Sequence, residues 1–129
     1  MKTYKPIKII ATGYYLPKAV SSEEIESKHN LSPGWSLRHS GVINRHHVTD
    51  ESNGYMGAKA IELALSNSEL KLSDIDLIIS AGATFDYPLP NQSSIIKSEL
   101  ENGNNYNIPT IDVDTTCLSF VTSFDIASR

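Results

Sequence analysis

Residues 75–83, Ile-Asp-Leu-Ile-Ile-Ser-Ala-Gly-Ala, are nearly continuous in apolar side chains. A run of this length without polar alternation predicts a strand buried on both faces, as in a parallel sheet covered by helices. The flanking segments carry the covers. Ser52 or Asn53 opens the clearest helix, with Met56, Ala60, Ile61, Ala64 and Leu65 on one face and Ala58 and Lys59 keeping propensity high. That helix ends around Asn67. Beyond the apolar run, Asn91 is placed to cap a helix reaching Glu101, with Ile95, Ile96 and Leu100 inward. Gly103-Asn104-Asn105 is a turn, and residues 108–114 predict a last strand.

Upstream, residues 7–12 predict an apolar strand ended by Gly13 and Pro17. Ser21 or Ser22 caps a short helix with Glu23 and Glu24 in its first turn, where carboxylates complement the helix dipole. Leu31-Ser32-Pro33-Gly34 breaks the chain before Trp35. Residues 42–48 predict a short strand with Asn44 and His46 on its polar face. The expected order is β-α-β-α-β-α-β-α, an α/β layered fold with a mainly parallel sheet flanked by helices. No repeat, low-complexity segment or linker interrupts it.

The chain has 129 residues, one ordinary domain's worth. Its formal net charge is −4 with both signs interspersed, which leaves no basic footprint for nucleic acid. No apolar run approaches the length needed to span a bilayer, and Lys8 interrupts the apolar residues after the N-terminus. One cysteine permits no internal disulfide and suits a reducing compartment. The expectation is a soluble cytoplasmic protein.

That cysteine, Cys117, lies in Ile-Asp-Val-Asp-Thr-Thr-Cys-Leu-Ser-Phe-Val-Thr-Ser-Phe, residues 111–124. The stretch to Asp114 reads as a buried strand. From Leu118 on, Phe120, Val121, Phe124 and Ala127 follow helical spacing. Cys117 thus falls at a strand-to-helix turn, where free N–H groups and the helix dipole favour a thiolate nucleophile. The alternative is a small, inert buried residue, as most free cysteines are.

The turn around Cys117 resembles the nucleophile elbow of the thiolase superfamily, and within it the condensing enzymes called 3-oxoacyl-acyl-carrier-protein synthase III. Four further pieces follow in the family's order. Residues 7–17 are similar to its first strand and turn. Pro33-Gly34-Trp35, Ser40-Gly41-Val42 and Arg45-His46 resemble its Trp-containing segment. Residues 72–81 resemble the strand after its long helix, and Pro88-Leu89-Pro90-Asn91-Gln92 the loop opening the next helix.

The resemblance implies an acyltransferase. A Cys-bound acyl group would be condensed with a malonyl-type thioester by decarboxylative Claisen chemistry, in fatty-acid or related secondary-metabolite biosynthesis. Cys117 would be the nucleophile, and its N–H half of an oxyanion hole. The enolate-stabilising His and Asn of the family come from its C-terminal half, so His29, His39, His46 and His47 are not assigned that role. Trp35 corresponds to a tryptophan stacking on the adenine of coenzyme A, the alternative being a core or lid tryptophan. The basic residue four positions after it in the family is His39 here, with Arg38 one place earlier. These three are the substrate-binding candidates. Leu89 corresponds to a residue of a loop that crosses the dimer and walls the partner's acyl tunnel, the alternative being a plain solvent loop.

The resemblance further implies a homodimer, acyl carrier protein and coenzyme A thioesters as partners and substrates, and no bound cofactor or metal. It implies that residues 1–129 form the N-terminal half of the thiolase-like fold, stopping within the helix after Cys117 and inactive alone. Two other readings stand: acyl transfer to an oxygen or nitrogen acceptor without decarboxylation, and an inactive fragment that acts only in association. Asp114-Thr115-Thr116 before the thiol and Leu118-Ser119 after it depart from the small residues usual there.

Overall fold

The computed structural model of the chain describes residues 6–129. They form two compact units, one comprising the chain up to Tyr15 together with Ser52–Arg129, the other Leu16–Glu51.

In the larger unit, α3 spans Asn53–Ser66, β3 Ile78–Ala81, α4 Gln92–Glu99, β4 Thr110–Val113 and α5 Ser119–Ala127. β3 and β4 pair in parallel, from Ile78 opposite Thr110 to Ala81 opposite Val113. The expected strand at 75–83 is shorter than its apolar run: it covers Ile78–Ala81, the four residues that pair with Thr110–Val113. The core is Ala58, Ile78, Ile96, Leu100 and Ile108, with Ile61, Leu72 and Ile75 packed against it. It joins α3 and α4 to the strand pair. The helices approach closely because α3 carries Gly54, where a Cβ would lie 2.5 Å from the Ile95 methyl carbon Cγ2.

Two carboxylates distant in sequence cap these helices. Asp86, in the loop after β3, accepts the Asn53 and Gly54 N–H groups at 2.8 and 2.7 Å. Ser52 adds its own hydroxyl at the Tyr55 N–H. Asp112 of β4 accepts the Gln92 and Ser93 N–H groups at 2.6 and 2.8 Å. Asn91 occupies the α4 cap position as expected, but its side chain does not cap the helix. Its amide donates to the Ser93 hydroxyl instead, and Asp112 takes the backbone donors. Partial burial pushes both aspartates up. Hydrogen bonds outweigh it, the Gln92 amide and the Gly54 and Asn53 N–H groups at Asp86, the Ser93 hydroxyl and N–H foremost at Asp112. Both carboxyls therefore lie below the ordinary aspartate range.

Residues 7–12 are not a strand, against expectation. They make no ladder, and Ile7–Ala11 instead line an apolar groove of about 470 Å³ with Ile61, Leu65, Ile78 and Phe124. Ile7, Ile9 and Ile10 are exposed along that groove.

The smaller unit holds β1 (Lys18–Ser21), α1 (Ser22–Lys28), α2 (Trp35–Ser40) and β2 (Asn44–His47). Here the sheet is antiparallel, Lys18 opposite His47 through Ser21 opposite Asn44. The expected strand at 42–48 is thus present over Asn44–His47, paired with a strand after Pro17 that the sequence pattern did not predict. Ser21 caps α1 by accepting the Glu24 N–H at 3.1 Å. Among the described residues, no helix is long and apolar enough to cross a membrane.

Candidate active site

The loops leaving β3 and β4 emerge at the same end of the parallel pair, the carboxyl ends of the strands. In open α/β sheets that end is where ligands bind. The β4 loop carries Cys117 and the β3 loop carries Leu89.

Cys117 sits in a 3₁₀ turn, Thr116–Leu118, leading directly into α5, and its side chain is exposed. Within the described residues the thiol is therefore not buried. The turn is unusual in its backbone. Thr116, adjacent to the thiol, has φ +53°, in the left-handed region that β-branched residues rarely enter. Such a residue costs about 1–3 kcal/mol and persists only where its surroundings hold it.

The surroundings here are specific. The Thr116 N–H donates to Asp114 Oδ1 at 3.0 Å, which engages the carboxylate upstream of the thiol. Ser119, only 3% exposed, braces the turn from below. Its hydroxyl accepts the Thr115 N–H at 3.0 Å and donates to the Thr116 carbonyl at 2.7 Å. The Leu118 N–H closes the turn onto the Thr115 carbonyl at 3.1 Å, and the Thr115 and Thr122 hydroxyls meet at 3.0 Å. Ser119 is the supporting residue that sequence reasoning missed. Its only signal was a hydroxyl two places after the cysteine.

α5 buries Ser119 and Ser123 and turns Phe120 and Val121 outward at 64% and 63% exposure. The buried serines suit close packing because each hydroxyl bonds a carbonyl three residues back, as Ser123 does to Phe120 at 2.7 Å. The helix thus presents an apolar face beside the thiol.

Leu89 is 84% exposed, the most exposed of the large apolar side chains among the described residues. Its loop is nonetheless anchored. Besides holding α3, Asp86 receives the Gln92 side-chain amide at 2.9 Å, and its N–H donates to Gln92 Oε1 at 2.7 Å. The Leu89-Pro90 bond is cis.

The smaller unit brings Trp35, Arg38 and His39 together on α2. The His39 ring stacks on the indole, centroids 4.3 Å apart and planes 21° apart, with His39 Nδ1 2.8 Å from the Trp35 carbonyl. Trp35 is 39% exposed, which sets aside a core position. Arg38 folds back to donate to the Pro33 carbonyl at 2.9 Å and the Ser32 hydroxyl at 3.0 Å. His39, rather than Arg38, therefore lies against the indole. Among the described residues, no cluster of His, Cys, Asp or Glu is suited to hold a metal ion.

No family model matches the chain. A beta-ketoacyl-acyl-carrier-protein synthase III of Neisseria gonorrhoeae is 33% identical over 123 residues, covering 94% of this chain and 38% of that protein. Crystallographic 3-oxoacyl-acyl-carrier-protein synthase III from Aquifex aeolicus superposes with a TM-score of 0.80 at 28% identity, over 93% of this chain and 38% of its own. The priming beta-ketosynthase of the R1128 polyketide pathway gives a TM-score of 0.79 at 21% identity, over 99% of this chain and 39% of its own, a likeness of fold. The chain thus spans about two fifths of the length of these relatives. By sequence and by backbone it is similar to the beta-ketoacyl-acyl-carrier-protein synthase III enzymes, and its fold is their thiolase-like fold.

Proposed function

We propose that this chain carries the nucleophile of a decarboxylative condensing site, with Cys117 as the acyl acceptor. One observation supports the reading above all: an exposed thiol at the carboxyl end of a parallel strand pair, next to a left-handed threonine that Asp114 and Ser119 hold in place. The Cys117 thiolate attacks the carbonyl of an acyl thioester. The tetrahedral intermediate expels the thiolate of coenzyme A or of a carrier's phosphopantetheine arm, leaving an acyl-enzyme. A malonyl-type thioester then loses carbon dioxide, and its enolate carbon attacks the acyl-enzyme carbonyl. The products are a 3-oxoacyl thioester and the free cysteine thiolate. A backbone N–H at the turn and groups beyond these 129 residues would stabilise the two oxyanions.

On the same reading Trp35 and His39 contact the thioester's nucleotide end, with Arg38 shaping the loop before them. Leu89 walls an acyl channel across a homodimer. Acyl carrier protein is a partner, no cofactor is bound, the protein is cytoplasmic, and the chain alone carries out no condensation.

Intact mass spectrometry after incubation with acyl-coenzyme A and acyl-carrier-protein thioesters tests the reading. The expected result is one acyl adduct, mapped to Cys117. An adduct on another residue, or none with any donor, refutes it.

A further inference from the structure

The helix that carries Trp35 is capped by a residue outside it. α2 has six residues, too few to be stable by itself, and its cap position is Gly34, which has no side chain to offer. Glu26 of α1 supplies the cap instead. It is 4% exposed, and its two carboxylate oxygens take separate donors: Oε2 accepts the Gly34 N–H at 2.8 Å and Oε1 the Ser36 N–H at 2.7 Å. These donors bracket Trp35. The backbone on either side of the indole is therefore fixed to one rigid, charged group, and charge-assisted bonds of this kind are the stronger ones. Gly34 makes the arrangement possible. Its φ of +75° is open to glycine and strained for other residues, and a Cβ there would meet Arg38 Nη1 at 3.0 Å.

We infer that Glu26 is the positioning residue for Trp35, fixing where the indole stands and so its fit to a nucleotide thioester. The second clause rests on the substrate reading of Trp35; the first does not. An ordinary hydroxyl cap at position 34 would satisfy one N–H and leave the rotation of a six-residue helix loose. Two oxygens on one buried carboxylate remove that freedom.

Trp35 is the chain's single tryptophan, so its emission reports its own position. Emission and acrylamide quenching are measured for the wild-type chain, Glu26→Gln and Glu26→Asp, each at a temperature where its melt shows it folded. Gln presents one acceptor and one donor where two acceptors are needed. Losing one of two charge-assisted bonds should raise the quenching constant about two-fold and shift the emission to the red. Glu26→Asp keeps the charge and shortens the reach, so it should show the same change to a smaller degree. Should Glu26→Gln fail to fold, Glu26→Asp decides. A merely structural role lowers the melt and leaves the folded-state emission of Trp35 unmoved, and that result overturns the assignment. A coenzyme A titration separates the two clauses. Quenching of wild-type emission, weakened in Glu26→Gln, supports both. Absence of quenching in the wild type refutes the substrate role of Trp35, while the emission data still decide Glu26.

Discussion

Ser119→Ala is the sharpest perturbation of the Cys117 turn. The hydroxyl's two short bonds accept from the Thr115 N–H and donate to the Thr116 carbonyl, with the Gly82 carbonyl at the limit of reach, 3.5 Å away. A typical bond contributes about 0.5–1.5 kcal/mol net, so their loss costs about 1–3 kcal/mol. Alanine's better helix propensity returns about 0.5 kcal/mol. The net loss, about 0.5–2.5 kcal/mol with its middle at 1–2, is of the size of the roughly 1–3 kcal/mol that a left-handed Thr116 costs. The brace and the strain are of one size. Without the brace, Thr116 should relax out of φ +53° for much of the time and carry the thiol with it. At about 4 °C per kcal/mol for a domain near this size, the melting temperature should fall by about 4–8 °C. Acylation of Cys117, followed by intact mass against time, should slow about 5–30-fold, since each 1.4 kcal/mol is roughly a factor of ten. The turn would not depend on Ser119 if acylation kept its wild-type rate, whether or not the melt moved.

Cys117→Ala should leave the melt within about 1 kcal/mol of wild type, the side chain being exposed, and should abolish acyl adduct formation; a persisting adduct in this variant refutes the nucleophile. Asp86 and Asp112 are both held below the ordinary aspartate range, so the folded state keeps their charge where the unfolded state takes up protons. Their contribution is complete above the unfolded value of about 3.9 and is lost as pH falls through their lower folded values. Acid denaturation monitored by circular dichroism should therefore steepen below about pH 4, and Asp86→Asn with Asp112→Asn should flatten that limb. Gly54→Ala places a carbon 2.5 Å from Ile95 Cγ2 and should cost about 1–3 kcal/mol by calorimetry, as overpacking does.

The larger unit was the more legible. α3 begins after Ser52 and ends at Asn67 as its periodicity required, since fourteen residues carry enough repeats to fix a face. β3 lies inside its apolar run, and Cys117 lies at the expected turn. What escaped was non-local. Nothing near Asn53 or Gln92 shows that Asp86 and Asp112 cap those helices, because the partners are 33 and 20 residues away. β1 has four residues and no alternation, and its identity depends on a register with β2 that only folding supplies. α2 is too short for periodicity to speak, and its start is written at Glu26. Residues 7–12 misled for the opposite reason, an apolar run that predicts a buried strand but leaves Ile7, Ile9 and Ile10 exposed and outside any ladder.

The three carboxylate caps differ in when they become available. A chain emerges from the ribosome at roughly 5–20 residues per second. The first turn of α3 leaves 33 residues before Asp86, so it waits about 2–7 s for its cap at that rate. α4 precedes Asp112 by 20 residues and waits about 1–4 s. Glu26, by contrast, is made before Gly34 and Ser36, and the helix bearing Trp35 meets its cap as it is synthesised. The smaller unit can therefore complete its clamp early, while α3 acquires its cap only once the loop after β3 is made and α4 only once β4 is made.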